Sequence, residues 1–253
     1  MKAESKNPWF TRLNIMNAIE GIIAMLDENE LRSWIHKYPW LQTKTGEKTV
    51  AIIMAGNIPM VGFHDFLCVL ISGCSVKCKL SSKDDVLLPW LAQRIIKIEP
   101  EFQERISFEM SVLRDFDAVI ATGSDNSSRY FEYYFNKYPS IIRRNRTSVA
   151  ILDGSETKEE LDGLSFDLFS YFGLGCRNVS KIFIPEQFDV TKLLAHFDSI
   201  EYLKTHFKYM NNYEYNKSVF LLNQDAHFDN GFVILKESED LFSRIQRSHG
   251  KDK

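Results

Sequence analysis

The chain has 253 residues, of which 44% are hydrophobic and 26% are charged, and its formal net charge is −3. This composition excludes a disordered chain, and the absence of long Lys and Arg blocks argues against nucleic acid as a partner. No apolar run reaches the roughly 18 residues that a membrane span needs, and the start MKAESKNPW lacks the apolar stretch of a signal peptide. We therefore expect a globular cytoplasmic protein without a membrane span.

The first part of the chain is predicted to be helical. Apolar residues recur at helical spacing from Ile15 to Leu26, and a second amphipathic stretch around Trp34 is stopped by Pro39. We assign residues 1–45 to a helical lead-in.

Strands and helices are predicted to alternate in the next part of the chain. TVAIIMAGN is a β-branched run typical of a strand buried on both faces. After it we predict, in order, a helix from His64 to Ser72, a strand from Val76 to Leu80, a helix from about Asp84 to Ile98, the strand DAVIATG and a helix from Asn126 to Lys137. Such alternation favours a parallel sheet with crossover helices, so residues 46–147 are predicted to form a Rossmann-like nucleotide-binding domain.

A second α/β domain is predicted to begin at residue 148. Its elements are the strand SVAILDG, a helix from Lys158 to Phe172, the segment GLGC, the strand KIFIP, helices around Leu193 and Val219, and the strand GFVILKES. We assign residues 148–243 to this domain. Residues 244–253 show no apolar periodicity and are predicted to form an exposed tail.

Cys176 is the most specific candidate for chemistry. It follows a predicted helix and precedes a buried strand, and the glycines on both sides of Leu174 let the backbone turn sharply. At the start of a short helix and beside Arg177, its thiolate would be favoured by the amide dipoles and the cation. The alternative is an inert buried cysteine, which is the commoner state of this residue.

The other three cysteines have simpler interpretations. Cys68 lies in the apolar helical segment FLCVLI and is predicted to be core, while Cys74 and Cys78 flank SVK on one face of a strand. The chain contains no CxxC pair, so neither a disulfide framework nor a metal site is predicted.

Two polar residues are predicted to follow strands. Asn57 and Lys79 each lie at the carboxyl end of a strand, which is where α/β folds bind ligands. The alternatives are that Asn57 stabilises a turn before Pro59 and that Lys79 is a solvated strand end.

The segment ATGSDNSSRYFEYYF is predicted to form a strand, a tight turn and a helix. Amides at such a helix start can bind a phosphate. With Gly123 as its single glycine, the segment is a weak version of the dinucleotide fingerprint, and an ordinary N-cap at Ser124 or Asp125 is the alternative.

Taken in order, these segments resemble the aldehyde dehydrogenase superfamily. AGNIP stands where that superfamily has PWNFP, SGCSVKCKLSS where it has AGNTVVVKPSE, ATGSDNSSR where it has FTGSTEVGR, and GLGC where it has GQxC. In particular, AGNIPMVGF, ATGSDNSSRYFEYYF and YFGLGCRNVSK resemble the LuxC-type acyl-CoA reductases, to about Leu241. The resemblance implies an aldehyde dehydrogenase-like α/β fold with a parallel Rossmann-type sheet and a second, incomplete catalytic domain that bears the cysteine.

The resemblance also implies catalytic roles. Cys176 would be the nucleophile, and the Asn57 side-chain amide with the Cys176 backbone N–H would form the oxyanion hole. In hydrolytic members a glutamate of the LELGG segment activates water, whereas IIRRNRTSVAIL places Arg143 there. A guanidinium cannot act as a general base, so reduction is favoured over hydrolysis; the alternative is that these arginines form a solvated edge.

The cofactor implied by the resemblance is NADPH. Gly56 belongs to the first cofactor-binding segment, Lys79 would contact the adenosine ribose, and Gly123 and Ser124 would lie beside the pyrophosphate. Ser82 stands where the NAD-preferring members have a glutamate, which removes the repulsion of a 2′-phosphate.

The expected function is the NADPH-dependent reduction of a fatty acyl-CoA to the aldehyde through a cysteine acyl-enzyme. The expected partners are the acyl-CoA or acyl-thioester substrate and either a second copy of the chain or an acyl-transfer protein. Because similar chains continue past LFSRIQRSHGKDK, we expect a truncated catalytic domain. The alternatives are an inactive remnant that only binds the nucleotide, and a related reductase of a short acyl-CoA or an acyl phosphate.

Overall fold

The structure is a computed structural model, and it describes residues 2–42 and 48–238. The tail predicted for residues 244–253 lies outside this range. The chain divides into two compact units, with the division after Asn145. In the described ranges no helix is long and apolar enough to cross a membrane.

The first unit contains a five-stranded parallel sheet. Its strands are β1 (Thr49–Ile53), β2 (Ser75–Lys79), β3 (Ile106–Glu109), β4 (Ala118–Thr122) and β5 (Ser140–Arg143). They lie in the order β3-β2-β1-β4-β5, and every neighbouring pair is parallel. This is the strand order of a Rossmann-type sheet, so the predicted fold class is confirmed.

The helices of the first unit come either before β1 or between successive strands of the sheet. They are α1 (Lys2–Lys6), α2 (Arg12–Met25), α3 (Glu28–His36), α4 (Phe63–Ile71), α5 (Leu87–Ile98) and α6 (Asp125–Phe135), with 3₁₀ turns at Pro39–Gln42 and Pro100–Gln103. The strands β3 and β5 were not predicted. Both have only four residues and begin with a serine or follow a polar stretch, so neither forms a long β-branched run.

The central strands are buried on both faces. On β1, Ala51 and Ile52 are 0% and 1% exposed, and successive strand residues point to opposite faces. Ala51 lies in one cluster with Val119 of β4, against which Phe131 of α6 packs, whereas Ile52 belongs to the core that includes Phe66 of α4. The predicted two-sided burial of this strand is therefore confirmed.

The second unit is built around a parallel pair of strands. It contains β6 (Ser148–Ile151) and β7 (Val179–Phe183), the helices α7 (Lys158–Phe169), α8 (Val190–Phe197), α9 (Tyr202–Thr205) and α10 (Phe207–Leu222), and the short antiparallel pair β8 (Phe228–Asp229) and β9 (Ile234–Leu235). A capping box between Thr157 and Glu160 begins α7. The strand predicted at GFVILKES is thus much shorter than expected, and the roles assigned to residues 46–147 and 148–243 stay predictions.

Candidate active site

Most of the predicted site residues lie at one edge of the five-stranded sheet. β1, β2 and β4 are parallel neighbours, so their carboxyl ends lie at the same edge. The residues at or just beyond these ends are Gly56 and Asn57 after β1, Lys79 and Ser82 at the end of β2, and Gly123 and Ser124 after β4. β1 and β4 also flank the point where the strand order reverses, which is the usual ligand position in such sheets.

The loop after β1 packs directly on the loop after β2. A Cβ atom added to Gly56 would lie 2.5 Å from Ser81 Oγ and 2.7 Å from Ser81 Cβ, so only glycine fits there without movement. Asn57 follows in the same loop and is half-buried. Farther along, the Met60 amide donates to the buried Asp84 carboxylate at 2.7 Å. These contacts fix the loop that carries Asn57.

Lys79 and Ser82 have different surroundings. The Lys79 ammonium donates to the main-chain carbonyl of Ser111, beyond β3, and lies 3.5 Å from that of Met110. Both hydrogen bonds are exposed, so the structure is compatible with the alternative that Lys79 is a solvated strand end. Ser82 is exposed in the loop after β2.

The turn after β4 is a tightly packed helix start. Ser124 is the N-cap of α6, and its side chain accepts from the Ser127 amide at 3.3 Å. A Cβ on Gly123 would lie 2.8 Å from both Ser127 Cβ and Phe131 Cε2. The glycine therefore lets the first turns of α6 approach β4, and the helix amides face the same edge of the sheet as Asn57.

Arg143, at the end of β5, forms an ion pair within the first unit. Its Nη2 atom lies 2.8 Å from Oδ1 of Asp65 on α4, and Asp65 is 8% exposed. The solvated edge proposed for the arginines is therefore wrong for Arg143. It holds for Arg144, which pairs with the exposed carboxylate of Glu132.

Cys176 lies in a turn of the second unit, between a 3₁₀ turn at Ser170–Gly173 and β7. The backbone N–H of Asn178 closes this turn by donating to the Gly175 carbonyl at 3.2 Å. Cys176 is half-buried and Arg177 is exposed. The predicted helix start at Cys176 is wrong, because the described segment from Leu174 to Asn178 contains turns and bends only.

The Asn178 side chain holds the cysteine turn in place. Its Oδ1 accepts from the Gly175 amide at 2.7 Å, and its Nδ2 donates to the carbonyls of Asp167 at 2.8 Å and Ser170 at 3.1 Å. A Cβ on Gly175 would lie 2.6 Å from Asn178 Oδ1, so the glycine before Cys176 is required by this contact.

The segment before the cysteine turn has an unusual backbone. Tyr171 and Phe172 have φ values of 53° and 57°, a region that side chains disfavour. They follow the end of α7 at Phe169, three residues before the predicted end of that helix at Phe172. The Phe172 ring is buried 4.2 Å from the His206 ring, measured between centroids, and the Tyr202 hydroxyl donates to the Phe169 carbonyl at 2.8 Å. Packing therefore maintains a strained segment next to a candidate nucleophile.

Residues 1–193 match the family model described as acyl-CoA reductase (LuxC). The chain belongs to the LuxC acyl-CoA reductase family. The matched range includes the loops after β1, β2 and β4 and the turn that carries Cys176. No curated protein sequence matches the chain.

Solved structures with the same fold are aldehyde dehydrogenases. AldH from Staphylococcus aureus has a TM-score of 0.54 at 18% identity, covering 73% of this chain and 45% of that one. Glyceraldehyde-3-phosphate dehydrogenase GapN from Methanocaldococcus jannaschii has 0.52 at 17%, covering 62% and 38%. Aldehyde dehydrogenase 21 from Physcomitrella patens has 0.52 at 16%, covering 62% and 34%. These identities show the fold alone, and this LuxC-family chain spans less than half the length of each.

Two side chains that shape the site were missed in the sequence. Asn178 lies in the segment RNVS just before β7, and Asp84 in the segment SSKDD just before α5. An Asx residue beside a glycine-rich turn or a helix start commonly bonds backbone amides, so both patterns were open to that reading. Their partners lie in other elements, which local patterns do not reveal.

Replacing Asn178 with alanine is expected to lower the free energy of unfolding of the second unit by about 2 kcal/mol. The Gly175 amide and the Ser170 carbonyl would lose their side-chain partner, and unmade hydrogen bonds at partly buried groups cost about that much. Urea unfolding of the full chain measures the change. Asn178→Asp keeps the acceptor and loses the donors, so its loss should be intermediate; an unchanged midpoint in both variants would contradict the assignment.

Proposed function

We propose that this chain reduces an acyl-CoA thioester to the aldehyde with NADPH, and that Cys176 carries the acyl group. The observation that carries the proposal is the LuxC family match, because its range, residues 1–193, includes the first helices and both candidate regions. The aldehyde dehydrogenase fold of the solved neighbours agrees with it. Since the chain spans less than half of those neighbours, activity of the chain by itself is part of the proposal.

Cys176 is proposed to attack as a thiolate. Its sulfur forms a bond to the acyl carbonyl carbon, and the bond from that carbon to the sulfur of coenzyme A breaks, so coenzyme A leaves as a thiolate and takes up a proton. The half-buried position of Cys176, in a turn that follows Gly173 and begins at Gly175, supports access by a substrate. Asn57 is proposed to donate its side-chain amide to the oxyanion, together with the Cys176 backbone N–H.

The residues at the carboxyl edge of the sheet fit a dinucleotide. Glycine is required by packing at positions 56 and 123, which brings two loops and the start of an eleven-residue helix to the reversal point of the sheet. We propose that Lys79 contacts the adenosine ribose and that Gly123 and Ser124 lie at the pyrophosphate. Ser82 offers no carboxylate against a 2′-phosphate, which supports NADPH over NADH; GapN was solved in complex with NADP.

When bound, NADPH supplies a hydride. The hydride would reduce the acyl carbon by two electrons, and Cys176 would then leave as a thiolate when its bond to that carbon breaks, which would release the aldehyde. Release of the acyl group from Cys176 as a carboxylic acid would need a base that activates water. Arg143 occupies the place proposed for that base, and its guanidinium is engaged with Asp65, which supports reduction over hydrolysis.

The test is incubation of the full chain with a fatty acyl-CoA, with and without NADPH. Without NADPH we expect one acyl group on the chain by intact mass; with NADPH we expect aldehyde and NADP in equal amounts, and no fatty acid beyond the blank. NADPH binding without acylation would instead identify a nucleotide-binding remnant. Acylation by an acyl phosphate but not by acyl-CoA would identify a different reductase of the superfamily.

A further inference from the structure

A buried carboxylate connects the two loops that carry most of the candidate residues. Asp84 follows β2 and is 8% exposed, and its Oδ2 accepts from the amide of Met60 in the loop after β1. Its own amide donates to the Ser81 carbonyl at 3.0 Å. The side chain therefore binds a residue 24 positions earlier in the chain while its backbone is fixed by the adjacent turn.

The hydrogen bond falls at a point where the loop after β1 needs support. Met60 has a φ of 52°, a conformation that non-glycine residues rarely adopt, and it lies three residues after Asn57. The same loop is held at its other end by the contact of Gly56 with Ser81. Asn57 therefore lies between two contacts with the loop after β2: the packing of Gly56 on Ser81, and the hydrogen bond from the Met60 amide to the Asp84 carboxylate.

Few charges surround Asp84. On its own loop the charged neighbours are Lys83 and Asp85, and Asp85 pairs with Lys6 of α1 at 2.6 Å. The loop after β1, MAGNIPMVG, and the first turn of α5 contain no charged residue. Burial, and to a lesser extent the negative charge of Asp85, raises the pKa of Asp84 to about 6, against the opposing effect of the Met60 and Leu87 amides. The carboxylate can therefore gain a proton just below neutral pH.

We propose that Asp84 is a positioning residue of the candidate active site, whose ionised carboxylate holds the loop after β1 in the shape that presents Asn57 at the sheet edge. The inference rests on the proposed function. Protonation removes the charge to which the Met60 amide donates, and a charged acceptor makes the stronger hydrogen bond. The loop should therefore loosen as the pH falls through about 6, and the site should lose its arrangement with it.

Protonation of Asp84 is expected to change the stability of the fold and the activity of the site in opposite directions. Because the pKa of Asp84 is raised in the folded state, the protonated form favours folding, and this contribution is lost as the pH rises through about 6. Asp84→Asn should therefore unfold at pH 7 at the same temperature as the wild type or higher. A drop in activity of a fully folded variant would separate positioning from mere stability.

The first measurement is hydrogen exchange of the segment 54–62 in the full chain without substrate, corrected for the intrinsic pH dependence of exchange. In the wild type we expect protection to fall about tenfold from pH 7.5 to pH 5, and in Asp84→Asn to be low at both. Asp85→Asn is the matched control: it removes a neighbouring carboxylate and should keep the wild-type protection at pH 7.5, while its loss of protection should come at a lower pH because the charge of Asp85 also raises the pKa of Asp84. Equal protection in the wild type at both pH values would overturn the proposal without any variant.

The second measurement is the rate of acylation by acyl-CoA, taken as the ratio of wild type to Asp84→Asn at each pH. The ratio cancels any pH dependence of the reaction that both proteins share. We expect about tenfold at pH 7.5 and a value near one at pH 5, while Asp85→Asn follows the wild type at pH 7.5. A ratio of one throughout would refute the role of Asp84, whereas changed exchange with no acylation in any protein would refute the proposed function alone.

Discussion

Cys176→Ser is expected to lower acylation by acyl-CoA by about a thousandfold or more while leaving thermal unfolding unchanged. A serine hydroxyl stays protonated at neutral pH and is a far weaker nucleophile than a thiolate. The substitution is nearly isosteric, and Cys176 is half-buried in a turn whose bonds are made by Gly175 and Asn178. Intact mass after incubation with acyl-CoA measures the acylation, and a thermal melt checks the fold.

Cys68→Ser is the matched control for this experiment. Cys68 was predicted to be core; it is half-buried on α4, with its sulfur 3.8 Å from Nε2 of His64. Burial, and then the negative charge of Asp65, raise the pKa of the Cys68 thiol, so little thiolate forms at pH 7. We expect Cys68→Ser to be acylated like the wild type. An acyl group mapped to Cys68, or full acylation of Cys176→Ser, would end the assignment of the nucleophile.

The first unit was largely predictable because its central strands have strong local patterns. β1 and β4 consist of β-branched and small apolar residues between polar turns, which is what a strand buried on both faces requires. The edge strands β3 and β5 carry polar residues and are only four residues long, so their strand character depends on pairing with β2 and β4. Pairing with the neighbouring strands, and not local sequence propensity, makes β3 and β5 strands.

The candidate site divides in the same way. Positions such as Gly56, Gly123 and Cys176 could be proposed from the sequence, because glycine-rich turns and strand ends are recognisable there. The residues that hold those positions were not found, because Asn178 and Asp84 act through hydrogen bonds to backbone groups elsewhere in the chain. A helix start at Cys176 was expected, but the two residues at positive φ before it lead into a turn instead.

Arg143→Met is expected to lower the free energy of unfolding of the first unit by about 3 kcal/mol. The substitution leaves the buried carboxylate of Asp65 without the cation that lies 2.8 Å from it. An uncompensated buried charge costs more than the ion pair contributes, so removing both partners should cost less than removing one. We therefore expect the double variant Asp65→Asn with Arg143→Met to recover most of the loss in urea unfolding.

Arg144→Met separates this effect from a general loss of positive charge. Arg144 is the neighbouring residue, and its ion pair with Glu132 is exposed, so the loss in free energy of unfolding should stay below about 1 kcal/mol.

The ion pair between Arg143 and Asp65 also bears on the chemistry. A glutamate at position 143 would face the Asp65 carboxylate, and the two negative charges would repel each other. Arg143→Glu should accordingly destabilise the first unit at least as much as Arg143→Met, rather than install a water-activating base. Equal unfolding midpoints for the Arg143 and Arg144 variants would show that the pair with Asp65 does not stabilise this edge of the sheet.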